Sequence, residues 1–148
     1  MYKHVLIATD GSELAQKGVD QGLALAAKLG SKATVLSVTE PLQPAAAQAA
    51  VEGGIHDPVA RYDQQIDDAM KERYQSIEQA ASRHGATVEL IHDVDEFPAE
   101  AIVRVARLKG CDLIVMSSHG RRGIQRMLLG SQTAEVLAST TLPVLVIR

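Results

Sequence analysis

The sequence predicts an α/β protein: a three-layer open sheet of five parallel strands, Rossmann-like in build. Three observations carry this. Five short runs rich in Val, Ile and Leu punctuate the chain, and near-continuous apolar runs mark strands covered on both faces. Segments with apolar residues at helical spacing lie between them. The resulting β-α-β-α-β-α-β-α-β order returns each strand through a helix, which requires parallel pairing and right-handed crossovers.

The first strand is "HVLIAT" (4–9). A helix over 12–29 follows, with Ala15, Val19, Leu23, Ala26 and Leu29 on one stripe and Gly30 as its stop. "ATVLSV" (33–38) is the second strand. The connection "PLQPAAAQAAVEGGIHDP" (41–58) is rich in Ala, Gly and Pro; connections of that length are either functional or mobile, and both readings stand here. Residues 59–84 form a long helix, spacing Tyr62, Ile66, Met70, Tyr74, Ile77 and Ala81 by threes and fours before Gly85. "TVELI" (87–91) sets Val88 and Leu90 against Glu89, the alternation of an edge strand. A helix over 98–109 opens with Pro98 at a favoured first position and stops at Gly110. "DLIVMSS" (112–118) is the fourth strand, begun by Cys111, residues 131–139 the last helix and "PVLVIR" (143–148) the fifth strand.

Length and composition bound the function. With 148 residues the chain is expected to be one domain, 1–148, with a substantial core. No apolar run approaches the roughly 20 residues of a membrane helix, and "MYKHVLIATD" lacks the pattern of a signal peptide. The single cysteine, Cys111, excludes an internal disulfide and reads as buried packing. A cytoplasmic protein without membrane insertion is the expectation. Net charge of −3 and few aromatic residues argue against nucleic acid as a partner. His4, His56, His84 and His92 show no metal-ligand spacing, and "HDVDE" (92–96) is a weak cation motif, so no metal ligands are assigned.

Open parallel sheets bind ligands at the carboxyl ends of their strands, where strand order reverses. Two loops have that position. "ATDGSELA" (8–15) follows the first strand, and "SSHGRRGIQRMLLGSQT" (117–133) follows the fourth. In the second, Gly120 is followed by nine residues and then by Gly130-Ser131 at a helix start. A helix N-terminus offers unpaired N–H groups and partial positive charge to a phosphate, and glycine lets backbone approach closely. The competing reading is purely local, with Ser131 capping the helix. Asp10 has the same two readings: a cap for the first helix, or a carboxylate for ribose hydroxyls or a hydrated metal. No Gly-x-x-x-x-Gly-Lys-Ser/Thr loop and no Gly-x-Gly-x-x-Gly after the first strand occur, which excludes P-loop and standard dinucleotide binders.

"VLIATDGSE", "SSHGRRGIQRMLLGSQT" and "PVLVIR" together resemble the universal stress protein family, in its nucleotide-binding branch, over essentially the whole chain. That branch's motif is Gly, two residues, Gly, nine residues, Gly-Ser/Thr; the chain departs from it at Ser117, in the place of the first glycine. The resemblance implies strand order 3-2-1-4-5 and an adenine nucleotide as ligand: ATP, ADP or AMP, with magnesium as a companion of the outer phosphates. It implies that Ala8 and Thr9 line the pocket, Asp10 faces ribose or the phosphate–metal region, and Val38 offers backbone groups to adenine. Met116 and Ser117 would border base and sugar. Gly120, Gly130, Ser131 and Gln132 would cradle phosphates, with Arg121, Arg122 or Arg126 reaching the outer ones. Adenine would be gripped by aliphatic side chains and backbone rather than stacked. The function implied is a stress-response sensor or regulator. In the implied topology strand 143–148 is an edge, and because it is apolar almost throughout, a homodimer closed by its antiparallel pairing is expected. A slow ATPase or phosphotransfer enzyme, and a dimeric interaction module without nucleotide, remain as alternatives.

Overall fold

The structure, a computed structural model, describes residues 1–121 and 128–148. Its elements run β1 (His4–Thr9), α1 (Glu13–Leu29), β2 (Lys32–Thr39), α2 (Pro44–Glu52), α3 (Pro58–His84), β3 (Val88–Val94), α4 (Pro98–Leu108), β4 (Leu113–Ser117), α5 (Ser131–Ser139) and β5 (Val144–Ile147). All five strands join one parallel sheet in the order β3-β2-β1-β4-β5. The expected architecture and strand order are those observed. Strand order reverses between β1 and β4, so Thr9 and Ser117 end neighbouring strands at one sheet edge.

Each face of the sheet buries its own core. Val5, Ile7, Val35, Leu113 and Val115 meet α1 and α3 through Val19, Leu23, Ile77 and Ala81. Leu6, Leu36, Ile114 and Met116 meet α4 and α5 through Ile102, Val105 and Val136. Alternate residues of one strand therefore serve opposite cores, and for that reason the runs read as continuously apolar.

Several expectations are corrected. Leu29 lies outside the buried stripe of α1, 39% exposed, while Gly18 and Gly22 are inside it. A Cβ at Gly22 would stand 2.7 Å from Ile7, so α1 lies too close to β1 for a larger residue. The 41–58 connection contains the α2 helix, which buries none of its residues against the body. β3 runs on to Val94, and β4 begins at Leu113, two residues beyond the buried Cys111. Asp93 and Asp95 of the "HDVDE" stretch both pair with Arg104, at 2.6 and 3.0 Å. Among the described residues no helix is long and apolar enough to cross a membrane.

Candidate functional site

A cleft of about 690 Å³ opens at the carboxyl ends of β1, β2 and β4. Ala8, Thr9, Asp10, Val38, Met116, Ser117, Gly120, Gly130, Ser131 and Gln132 all line it, so the ten residues singled out from sequence converge on one space. Arg121 lines it as well; Arg122 and Arg126 lie outside the described residues.

The floor is built from strand ends. Ala8, Thr9, Met116 and Ser117 are each less than a tenth exposed. Ser117 is the last residue of β4, in strand conformation, so a serine there carries none of the strain that a left-handed position would impose. Its hydroxyl donates to the His119 carbonyl at 2.9 Å and so shapes the turn into the glycine loop. Buried Thr133, which the sequence reading passed over, donates to the Ser117 and Ser118 carbonyls at 2.9 and 3.3 Å. These bonds tie the first turn of α5 to the end of β4.

Asp10 ties the two loops together. One carboxylate oxygen accepts the Ser12 N–H at 2.9 Å, the other the Arg121 N–H at 2.7 Å. It does not cap α1: that role belongs to Ser12, whose hydroxyl accepts the Ala15 N–H. A Cβ at Gly120 would stand 2.6 Å from Asp10 Oδ2, so glycine is what lets the late loop close over this carboxylate.

The helix cap is the second correction. Gly130, not Ser131, is the N-cap of α5; its N–H donates to the Ser118 carbonyl at 2.7 Å and its carbonyl accepts from Ala134. Gly130 has φ −70°, a conformation open to any residue, so its requirement is space: a Cβ there would stand 3.2 Å from the Ser118 oxygen and 3.3 Å from His119 Cα. With glycine at the cap, no side chain among the described residues caps the end of α5 with a hydrogen bond. Its leading N–H groups have no intrahelical acceptor, and Ser131, Gln132 and Thr133 that carry them line the cleft. Such an end attracts anions through its N–H groups and its dipole.

The far wall was hidden from the sequence. Leu42, Gln43 and Ala46 come from the α2 arm, and Tyr62, Ile66, Met70 and Arg73 from successive turns of α3. The Tyr62 hydroxyl donates to the Glu40 carbonyl at 2.5 Å, fastening α3 to the end of β2. Tyr62 thus adds one aromatic side chain to a lining that also holds the aliphatic Val38, Leu42, Ile66 and Ile102. Arg73 had a legible signal: it falls three residues after Met70 and four before Ile77, a lone cation on an apolar stripe. Burial, then the charge of Arg121, lowers its pKa, with Asp10 opposing. The cleft is thus apolar near β2 and the α2 arm, and rich in N–H donors and positive charge near Asp10, Arg121 and the end of α5.

The universal stress protein family matches the chain over residues 1–148. The chain is 30% identical to universal stress protein YxiE of Bacillus subtilis, with all of both chains covered. Universal stress protein MJ0577 of Methanocaldococcus jannaschii is 28% identical, and its solved structure superimposes with a TM-score of 0.79, over 99% of this chain and 96% of that one. A universal stress protein solved in complex with cAMP is 25% identical, with a TM-score of 0.69, over 99% of this chain and 97% of that one.

Proposed function

Because this chain belongs to the universal stress protein family, we propose that it is a cytoplasmic stress-response sensor or regulator that binds an adenine nucleotide in the cleft between β1 and β4. The observation that carries this reading is the open N-terminus of α5, facing the same cleft as Gly120 and Arg121. Phosphates belong at that end, against the Ser131 hydroxyl and the N–H groups of Gln132 and Thr133. The base belongs at the apolar end, with Val38 supplying backbone groups and Tyr62 and Leu42 supplying apolar surface. Asp10 keeps lone pairs for ribose hydroxyls beyond its two backbone bonds. The relative in complex with cAMP supports an adenine nucleotide as the class of ligand.

ATP, ADP and AMP share the groups this cleft addresses, and magnesium would accompany the longer phosphate chains by screening their charge. Titration calorimetry tests the proposal. ATP is expected to bind in the micromolar range, GTP much more weakly, and magnesium is expected to strengthen ATP binding more than AMP binding. No heat with ATP at high protein concentration would refute the nucleotide reading and leave the dimeric interaction module.

A further inference from the structure

The cleft holds a cation whose hydrogen bonding is incomplete. Arg73 Nη2 donates to the Asp10 main-chain carbonyl at 3.1 Å, while Nη1 is buried and has no hydrogen-bond partner among the described residues. Among the described residues its one hydrogen-bonded partner is a neutral carbonyl. A buried donor left without an acceptor is uncommon, because losing water without replacement is costly.

The surroundings are shaped to keep the guanidinium there. Gly11, with φ 77°, leaves free the space where a side chain would run into the Arg73 guanidinium. Met70 and Ile77, one turn to either side on α3, are buried and fix the helix face that carries it. Asp10 is held by two arginines, its main-chain carbonyl by the Arg73 guanidinium and its carboxylate by the main-chain N–H of Arg121. Arg73 also feels the charges of both Arg121 and Asp10, so two cations stand against one carboxylate at this end of the cleft.

We propose that Arg73 reads the charge of the ligand: on binding, this half-exposed side chain turns so that its unpartnered Nη1 takes an anionic oxygen, and the cleft's affinity depends on phosphate charge through this residue. A guanidinium suits the role because its planar fork holds the Asp10 carbonyl with one nitrogen and offers the other to the ligand. The inference rests on the reading of the cleft as a nucleotide site, and names the residue that favours charged over uncharged adenine ligands.

The test compares ATP and adenosine on wild type and Arg73→Gln. The variant is expected to bind ATP roughly tenfold more weakly and adenosine within about twofold of wild type. Unliganded, it should melt no lower than wild type, since it loses a half-buried cation with one unsatisfied buried donor. Equal weakening of both ligands, or unchanged ATP binding, overturns the proposal. Should Arg73→Gln fail to fold, Arg73→Lys keeps the charge and loses the fork; it is expected to weaken ATP about threefold and spare adenosine, and unchanged ATP binding there is equally fatal. If wild type binds no nucleotide, the nucleotide reading itself has failed. Inorganic tripolyphosphate then decides: a rise in wild-type melting temperature that Arg73→Gln lacks retains Arg73 as an anion site, and equal behaviour of the two proteins refutes it.

Discussion

Ser131 and Gly130 stand side by side, yet the structure gives them different work. Ser131 is the first residue of α5, exposed, and its hydroxyl caps nothing. Ser131→Ala should therefore leave the melting temperature of the free protein nearly unchanged, within about 0.5 kcal/mol of stability. It should still weaken ATP binding by about 1 kcal/mol, because one donor to a phosphate oxygen is gone. Gly130→Val is the opposite case. Any Cβ there presses on Ser118 and His119, so the loop must shift, and ATP affinity should fall at least roughly tenfold, about 1.4 kcal/mol. Melting curves with and without ATP separate the two effects. A Gly130→Val protein that kept the full ATP-induced shift would remove the phosphate site from this loop. The cap shows where residue-level reading reaches its limit: a Gly-Ser pair at a helix start marks the cap only to within a residue, and position decides which of the two meets the ligand.

At the scale of elements, Asp112 is the clearest example of a joint. It sits just before β4, and its carboxylate accepts the Lys3 N–H at 2.9 Å and the His4 N–H at 3.0 Å, holding the start of β1 beside β4. The Lys3 N–H, then that of His4, lower its pKa. A carboxyl lowered on folding stabilises fully above its unfolded value near 3.9, and that contribution is lost as pH falls through the folded value. Asp112→Asn should therefore melt below wild type at neutral pH, with the gap closing under strong acid. A gap of the same size at pH 7 and at about pH 2.5 would show that ionisation contributes nothing. Elements of this kind were unevenly legible in the sequence. β1, β2 and β4 were plain because burial on both faces demands unbroken apolar runs, and β3 betrayed its edge position through Glu89. The α2 helix was not, because it buries no face and so leaves no stripe to read. The floor of the cleft follows from strand ends and the glycine loop, which chain order alone places. Its far wall depends on how α3 packs against α1, α2 and β3, a tertiary fact that periodicity does not encode.

At the scale of the whole molecule, the two edges of the sheet differ. β3 carries Glu89, bonded to Lys109, and Asp93, bonded to Arg104, and charges on an edge discourage further pairing. β5 has only Val, Leu, Val and Ile, with Leu145 39% exposed and Leu137 of the adjoining α5 41% exposed. Among the described residues no strand pairs with the outer side of β5, and an apolar edge of this kind is an aggregation liability unless something pairs with it. A second copy related by a two-fold axis would cover it by antiparallel pairing, and such closure adds no further open edge. We therefore expect a homodimer through residues 143–148, with Pro143, which has no N–H to donate, near the start of the strand. Sedimentation at tens of micromolar should give a dimer, and Leu145→Glu should give a folded monomer. The arrangement also bears on the cleft. α5 begins at the end of the cleft proposed for phosphates and leads within a few residues into β5, so one short helix would join the proposed ligand to the expected interface. If ordering of that first turn by nucleotide is felt at the edge, ATP should tighten the wild-type dimer, and dimerisation should tighten ATP binding by the same factor. A wild-type monomer at these concentrations, with or without ATP, would rule out the β5 interface and the coupling together.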